Sequence, residues 1–171
     1  MITKLLCCFT LLLGGFMIEN ETFNTLTQNF YNTSEIIMTM DGKNLNFKKG
    51  DDKYECILKS LKTITDGAHE MPAFGVSLDE ETRKARKSGL WLELVFDKEY
   101  EYNGMPFEAL LIDVHGDFSG FNLIRKCNGK YDGRCFYLDL KEDMKNLETS
   151  MLDIFNAKSF SQNWYKNLSK C

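Results

Sequence analysis

The chain has 171 residues, 43% hydrophobic and 27% charged, with a formal net charge of −4. That mixture excludes a wholly disordered chain and permits one domain with its own core. The acidic balance argues against nucleic acid as a partner, because displacing counterions from phosphates needs a basic surface.

Residues 1–18 read as a signal peptide or membrane anchor. Lys4 gives a positive start, and Leu5 to Leu13 an apolar run continuing to Ile18. The run is short for a transmembrane span and suits an export leader. This predicts a protein secreted or anchored at the cell surface, touching a membrane only through that segment. Residues 19–33 are polar and rich in Asn and Thr, and read as a linker.

A single α+β domain is expected over 34–156. Ile36, Met38 and Met40 alternate, Asp41-Gly42 signals a turn, and Leu45 and Phe47 alternate again. A two-residue turn pairs Met40 with Lys43, Met38 with Leu45 and Ile36 with Phe47, so every apolar residue lies on one face. Tyr54, Ile57, Leu58, Leu61 and Ile64 recur at helical spacing over 51–66, with an Asp cap before them and Gly67 after. Ser77 stands three residues before Glu80, a capping-box spacing. The helix it opens runs to about Ser88, with only Leu78 and Ala85 turned to the core and Arg83, Lys84, Arg86 and Lys87 in solvent.

Leu90 to Phe96 alternates as a strand, and Asn103-Gly104 signals a second hairpin. A strict two-residue turn there sets Leu94 against Asp113, so a longer loop or a bulge is expected near Met105-Pro106. Phe107–His115, Phe121–Cys127 and Arg134–Leu140 complete the strands. Asp139 and Glu142 open a last helix carrying Leu140, Met144, Leu147, Met151, Ile154 and Phe155. Residues 157–171 form a polar tail. The order β-β-α-α-β-β-β-β-α implies an antiparallel sheet of five to six strands with two to three helices packed on it.

The chemistry-bearing residues are few. Asp113, His115 and Asp117 alternate and could bind a divalent metal or form a base and its orienter. Arg125, Lys126, Tyr131 and Arg134 surround the last turn and could recognise an anionic ligand or a protein partner. Cys127 and Cys135 flank that turn and form the best disulfide pair among Cys56, Cys127, Cys135 and Cys171. No phosphate-cradling loop or zinc pattern occurs, so no cofactor is expected.

Together with the leader, the stretch from Gly89-Leu90-Trp91-Leu92-Glu93-Leu94 through Gly133-Arg134-Cys135-Phe136-Tyr137-Leu138-Asp139-Leu140 resembles small exported domains, without assigned function, of low-GC Gram-positive bacteria. The chain departs from the lipoproteins among them in lacking a standard lipobox. The resemblance implies location rather than activity. The expected function is therefore a non-catalytic extracytoplasmic binding or protein-interaction module. The alternatives are a metal-dependent or hydrolytic enzyme on Asp113, His115 and Asp117, and a secreted inhibitor-type protein.

Overall fold

A computed structural model describes residues 25–168, with side chains placed up to residue 157. The segment expected to be a leader, with Cys7 and Cys8, and Cys171 lie outside the described residues. The fold is α+β. Strands β1 (Thr33–Met40), β2 (Lys43–Lys48), β3 (His69–Met71), β5 (Leu90–Tyr102), β6 (Met105–Val114), β7 (Gly120–Lys126) and β9 (Phe136–Asp139) form one sheet in the order β2-β1-β5-β6-β7-β9-β3. All its pairings are antiparallel. Strands β4 (Val76–Ser77) and β8 (Gly133–Arg134) make a separate small ladder. Helices α1 (Asp52–Thr65) and α3 (Lys145–Leu168) share one core cluster with the first face of the sheet. Helix α2 (Asp79–Ala85) lies over the second.

The first face is built by alternation. Ile36, Met38, Leu45, Phe47, Leu92, Leu94, Leu110, Ile112, Phe121, Leu123, Phe136 and Leu138 are all buried there. Tyr54, Ile57 and Leu61 of α1 and Leu147, Met151, Ile154 and Phe155 of α3 close over them. The register of β1 with β2 is the one the alternation requires: Met40 opposes Lys43, Met38 opposes Leu45 and Ile36 opposes Phe47. Three hairpin turns use one device. Asp41-Gly42, Asn103-Gly104 and Asn128-Gly129 hold positive φ at both central residues, the type I′ geometry that matches strand twist. At α1, Asp51 accepts from the Lys53 backbone N–H at 2.8 Å, and Gly67 beyond its end adopts φ +64.

Several expectations need correction. The sheet has seven strands, because β3 adds to its edge through pairing with β9; a three-residue segment without apolar alternation carries no local signal. Part of the presumed linker is structured: residues 26–32 form a 3-10 helix whose Leu26 and Phe30 enter the core. The Asn103-Gly104 turn is strict, with Tyr102 opposite Met105 and Tyr100 opposite Phe107. The irregularity lies instead in β5 between Val95 and Tyr100, and it resets Leu94 against Leu110. The mismatch foreseen with Asp113 is thus removed on the opposite strand, without distorting the turn.

Helix α2 is shorter than expected, and no side chain at its N-cap residue, Leu78, bonds to it. Ser77 instead donates to the Gly133 carbonyl at 3.2 Å. The first N–H, that of Asp79, is satisfied by Asp132 at 2.7 Å. Asp132→Ala should therefore destabilise the fold by about 1 kcal/mol, the usual worth of a lost cap, with Ser77→Ala costing less; urea midpoints of the two variants check the order. Leu78 and Ala85 are exposed and Thr82 is buried, so the helix turns a polar side to the sheet. The last helix starts at Lys145, because Asp139 is held in β9 opposite Gly120 and His69. It continues to Leu168, through much of the presumed tail.

Candidate functional site

The register that aims one set of side chains at the first face aims the alternate set at the second. Glu93 therefore lies there between Ile37 of β1 and Leu111 of β6. Its side chain is only 3% exposed. A buried carboxylate is tolerated only when paired, and here the pairing is complete. Tyr131 donates its hydroxyl to Glu93 Oε1 at 2.5 Å. Arg86 Nη1 donates to Oε2 at 2.9 Å, and Lys126 Nζ to Oε1 at 3.2 Å. Arg86 also donates to the Tyr131 hydroxyl at 2.6 Å and to Thr39 Oγ1 at 3.0 Å. Burial works to raise the Glu93 pKa, but the Tyr131 hydrogen bond and the Arg86 and Lys126 charges prevail and hold it below the usual carboxylate value. Burial and the same carboxylate push the Tyr131 phenol upward.

Tyr131 sits at the centre of this cluster. The cationic groups of Arg83, Arg86 and Lys126 lie 5.3, 5.7 and 5.6 Å from its ring centroid, a cation–π arrangement. Asp79 accepts from the Tyr131 backbone N–H at 2.9 Å and from Arg83 at 2.8 Å. The Arg83 bond, then the Tyr131 bond, hold the Asp79 carboxyl below its ordinary pKa. Together these contacts tie α2 and the 128–134 segment over a small apolar cluster of Trp91, Leu111, Ile124, Tyr131 and Cys135.

The anion-recognition residues read from the sequence thus serve mainly inside the molecule. Arg125 is buried and donates to the carbonyls of Arg134 and Pro106, both at 2.7 Å. Lys126 and Tyr131 are engaged with Glu93. Of the four, only Arg134 is exposed. Glycine at 133 leaves room for the Arg125 guanidinium, since a Cβ there would meet Nη2 at 3.1 Å.

Asp113 and His115 are both exposed, and desolvation raises the Asp113 pKa against a smaller lowering from His115. Asp117 belongs to the following turn and pairs with Lys145 of α3 at 3.4 Å while remaining 80% exposed. Glu93 is already satisfied by Tyr131, Arg86 and Lys126. Among the described residues, no group of three His, Cys, Asp or Glu side chains is arranged to hold a metal ion. The ring of His115 meets that of Phe118 edge-on at 5.2 Å.

Cys127 and Cys135 are free thiols, as is Cys56. The expected bridge fails on register. Phe121 opposes Leu138 and Leu123 opposes Phe136, and continuing that pairing sets Cys135 against Ile124, not Cys127. Cys127 instead closes its own two-residue turn, exchanging backbone bonds with Lys130 at 2.9 and 3.1 Å. Burial raises the pKa of both thiols, and Glu99 adds to the rise at Cys127. In the native protein, iodoacetamide should modify exposed Cys56 first, Cys127 more slowly and buried Cys135 only after denaturation; peptide mass spectrometry reads that order.

The exposed features lie beside this cluster. In the segment 74–78, Phe74, Val76 and Leu78 alternate outward and are 55%, 68% and 61% exposed. Ser77 between them is buried, and the Gly75 carbonyl accepts from the Cys135 backbone N–H at 3.3 Å. The extended segment is thus fastened by its inner side, which leaves three large apolar side chains in water. Phe74 leans on Tyr137, with centroids 4.8 Å apart. A groove of about 370 Å³ runs beside this strip, bounded by Val76, Leu78 and Ala85 and lined also by Trp91, Ile124 and Asn122.

No protein-family model matches this chain, and no curated protein or solved structure matches it.

A second cleft of about 370 Å³ shares Leu78 and Glu81 with the groove and is lined otherwise by Asp79, Glu80, Asp132 and Lys130. The two clefts thus meet at Leu78, one mainly apolar and the other mainly acidic. Such a surface can bind by burial and by charge. Leu78, expected in the core, instead faces solvent with Phe74 and Val76. The available signal was the alternation of Phe74, Val76 and Leu78 itself.

Proposed function

We propose that this chain is an exported, non-catalytic protein-interaction module whose contact surface is the Phe74–Val76–Leu78 strip with its adjoining groove. The observation that carries the reading is the exposure of these three alternating apolar side chains on a segment held in place from behind. Contiguous apolar surface of this kind on a small domain marks a binding site. Among the described residues, the other strongly exposed aromatics, Tyr31 and Phe118, are isolated along the chain. The apolar leader over 1–18 and the resemblance to small exported domains support the extracytoplasmic half of the reading.

A photo-crosslinking amino acid tests the surface. Placed at position 76 in the producing cell, it should give a discrete protein adduct that the same probe at Lys48, on the edge strand β2, does not give. Equal adducts at both positions, or none at 76, would reject the strip as the contact surface. Fractionation tests the location: recovery of the chain in the cytosolic fraction alone would reject export.

A further inference from the structure

Resting on that interaction reading, we infer that the partner presents a short basic-apolar segment, in which a large apolar side chain enters the groove and a neighbouring lysine or arginine enters the acidic cleft. The two clefts meet at Leu78 and share Glu81, so adjacent residues of one segment can occupy both. The apolar cleft offers Trp91, Ile124, Val76 and Ala85 to an incoming side chain. The other cleft carries four carboxylates, those of Asp79, Glu80, Glu81 and Asp132, against the single ammonium of Lys130. Asp79 is committed to Arg83, Glu81 pairs with Lys84 at 3.8 Å and Asp132 accepts from the Asp79 backbone N–H, yet Glu80, Glu81 and Asp132 all stay exposed to an incoming cation. A cation entering there meets complementary charge beside an apolar anchor, the combination that gives both affinity and selectivity.

Charge also decides against the competing occupants. A second copy docking through the same patch about a two-fold axis would bring a second acidic cleft to the interface. The whole chain carries −4, which adds repulsion between copies. An anionic lipid surface would be repelled by the same carboxylates.

Three synthetic peptides titrated into the full chain, followed by Trp fluorescence and calorimetry, test the inference. The first is Ser-Leu-Lys-Phe-Arg-Ser. The second replaces its Lys and Arg by Glu, and the third replaces its Leu and Phe by Ser. The first should bind at least about ten-fold more tightly than either of the others, with an affinity that falls as salt is added. Val76→Asp should abolish that binding, and Glu80→Lys with Glu81→Lys should transfer the preference to the acidic peptide. Both variants change exposed residues, and an unchanged melting temperature confirms that they fold. If the acidic peptide binds the parent as well as the basic one does, and Val76→Asp removes both, the basic partner is refuted while the interaction surface stands. If no peptide binds, the inference is overturned, and the crosslink at position 76 then decides whether the surface falls with it. Sedimentation of the parent as a dimer that Val76→Asp converts to a monomer would also overturn it, in favour of a second copy.

Discussion

Glu93→Ala is expected to cost about 3–5 kcal/mol, a large share of the stability of a domain this size. The cost arises less from the bonds lost than from what is left behind. Arg86 and Lys126 remain, with side chains only 16% and 28% exposed, without the carboxylate that neutralises them. Tyr131 keeps a buried hydroxyl whose acceptor has gone. Urea unfolding of the variant measures the loss. Replacing the charged cluster as a unit, with Glu93→Leu, Arg86→Met and Lys126→Met together, should recover much of it, because no unpaired charge then stays buried. Recovery equal to zero would mean that Glu93 acts through packing and not through charge.

The same carboxylate makes stability depend on pH in a defined direction. Its folded pKa lies below the ordinary value of 4.5, so the folded state favours the charged form. The stabilisation is complete above 4.5 and is lost as pH falls through the folded value. In Glu93→Gln this contribution is missing at every pH. Urea midpoints followed from neutral pH into acid should therefore fall less steeply in Glu93→Gln than in the parent. Parallel curves would remove Glu93 from the acid response.

Phe107→Ala should cost a similar amount, about 3–5 kcal/mol, by a different route. The ring is fully buried and lies 5.3 Å from Phe96, 6.4 Å from Tyr100 and 5.8 Å from Phe136 between centroids. It stands just beyond the irregular stretch of β5, where Tyr100 opposes it. Truncation leaves a cavity bounded by three aromatic rings that cannot all collapse into it. The loss should not vary with pH between neutrality and mild acid, which separates it from that of Glu93. Phe118→Ala, at an exposed ring, should stay within about 0.5 kcal/mol in the same assay. A loss at Phe107 below about 1 kcal/mol would show that the aromatic cluster repacks freely.

Much of the first face was legible from local pattern. Ile36, Met38, Leu45 and Phe47 have a period of two around Asp41-Gly42, and both signals demand one register. Tyr54, Ile57 and Leu61 have a helical period that admits one buried stripe. Glu93 carried a partial signal, as a lone carboxylate within Leu90-Trp91-Leu92-Glu93-Leu94-Val95-Phe96. A charge in such a run must find a cation, but nothing nearby says which one. Arg86 looked like one more solvated charge among Arg83, Lys84 and Lys87. Tyr131 and Lys126 looked like a free recognition loop because their acceptor lies on a strand more than thirty residues earlier.

Local pattern was enough for the α+β class, the Asp41-Gly42 turn and its register, an Asp cap on α1 and most of the main core. Each rests on interactions between residues close along the chain, which propensity and periodicity report directly. Long-range pairing settles which cations neutralise Glu93, that Cys127 and Cys135 stand out of register, and that β3 joins the edge of the sheet. It also sets Phe74, Val76 and Leu78 outward. These depend on backbone segments far apart in sequence meeting at one register, and a shift of a single residue in a strand exchanges one face for the other.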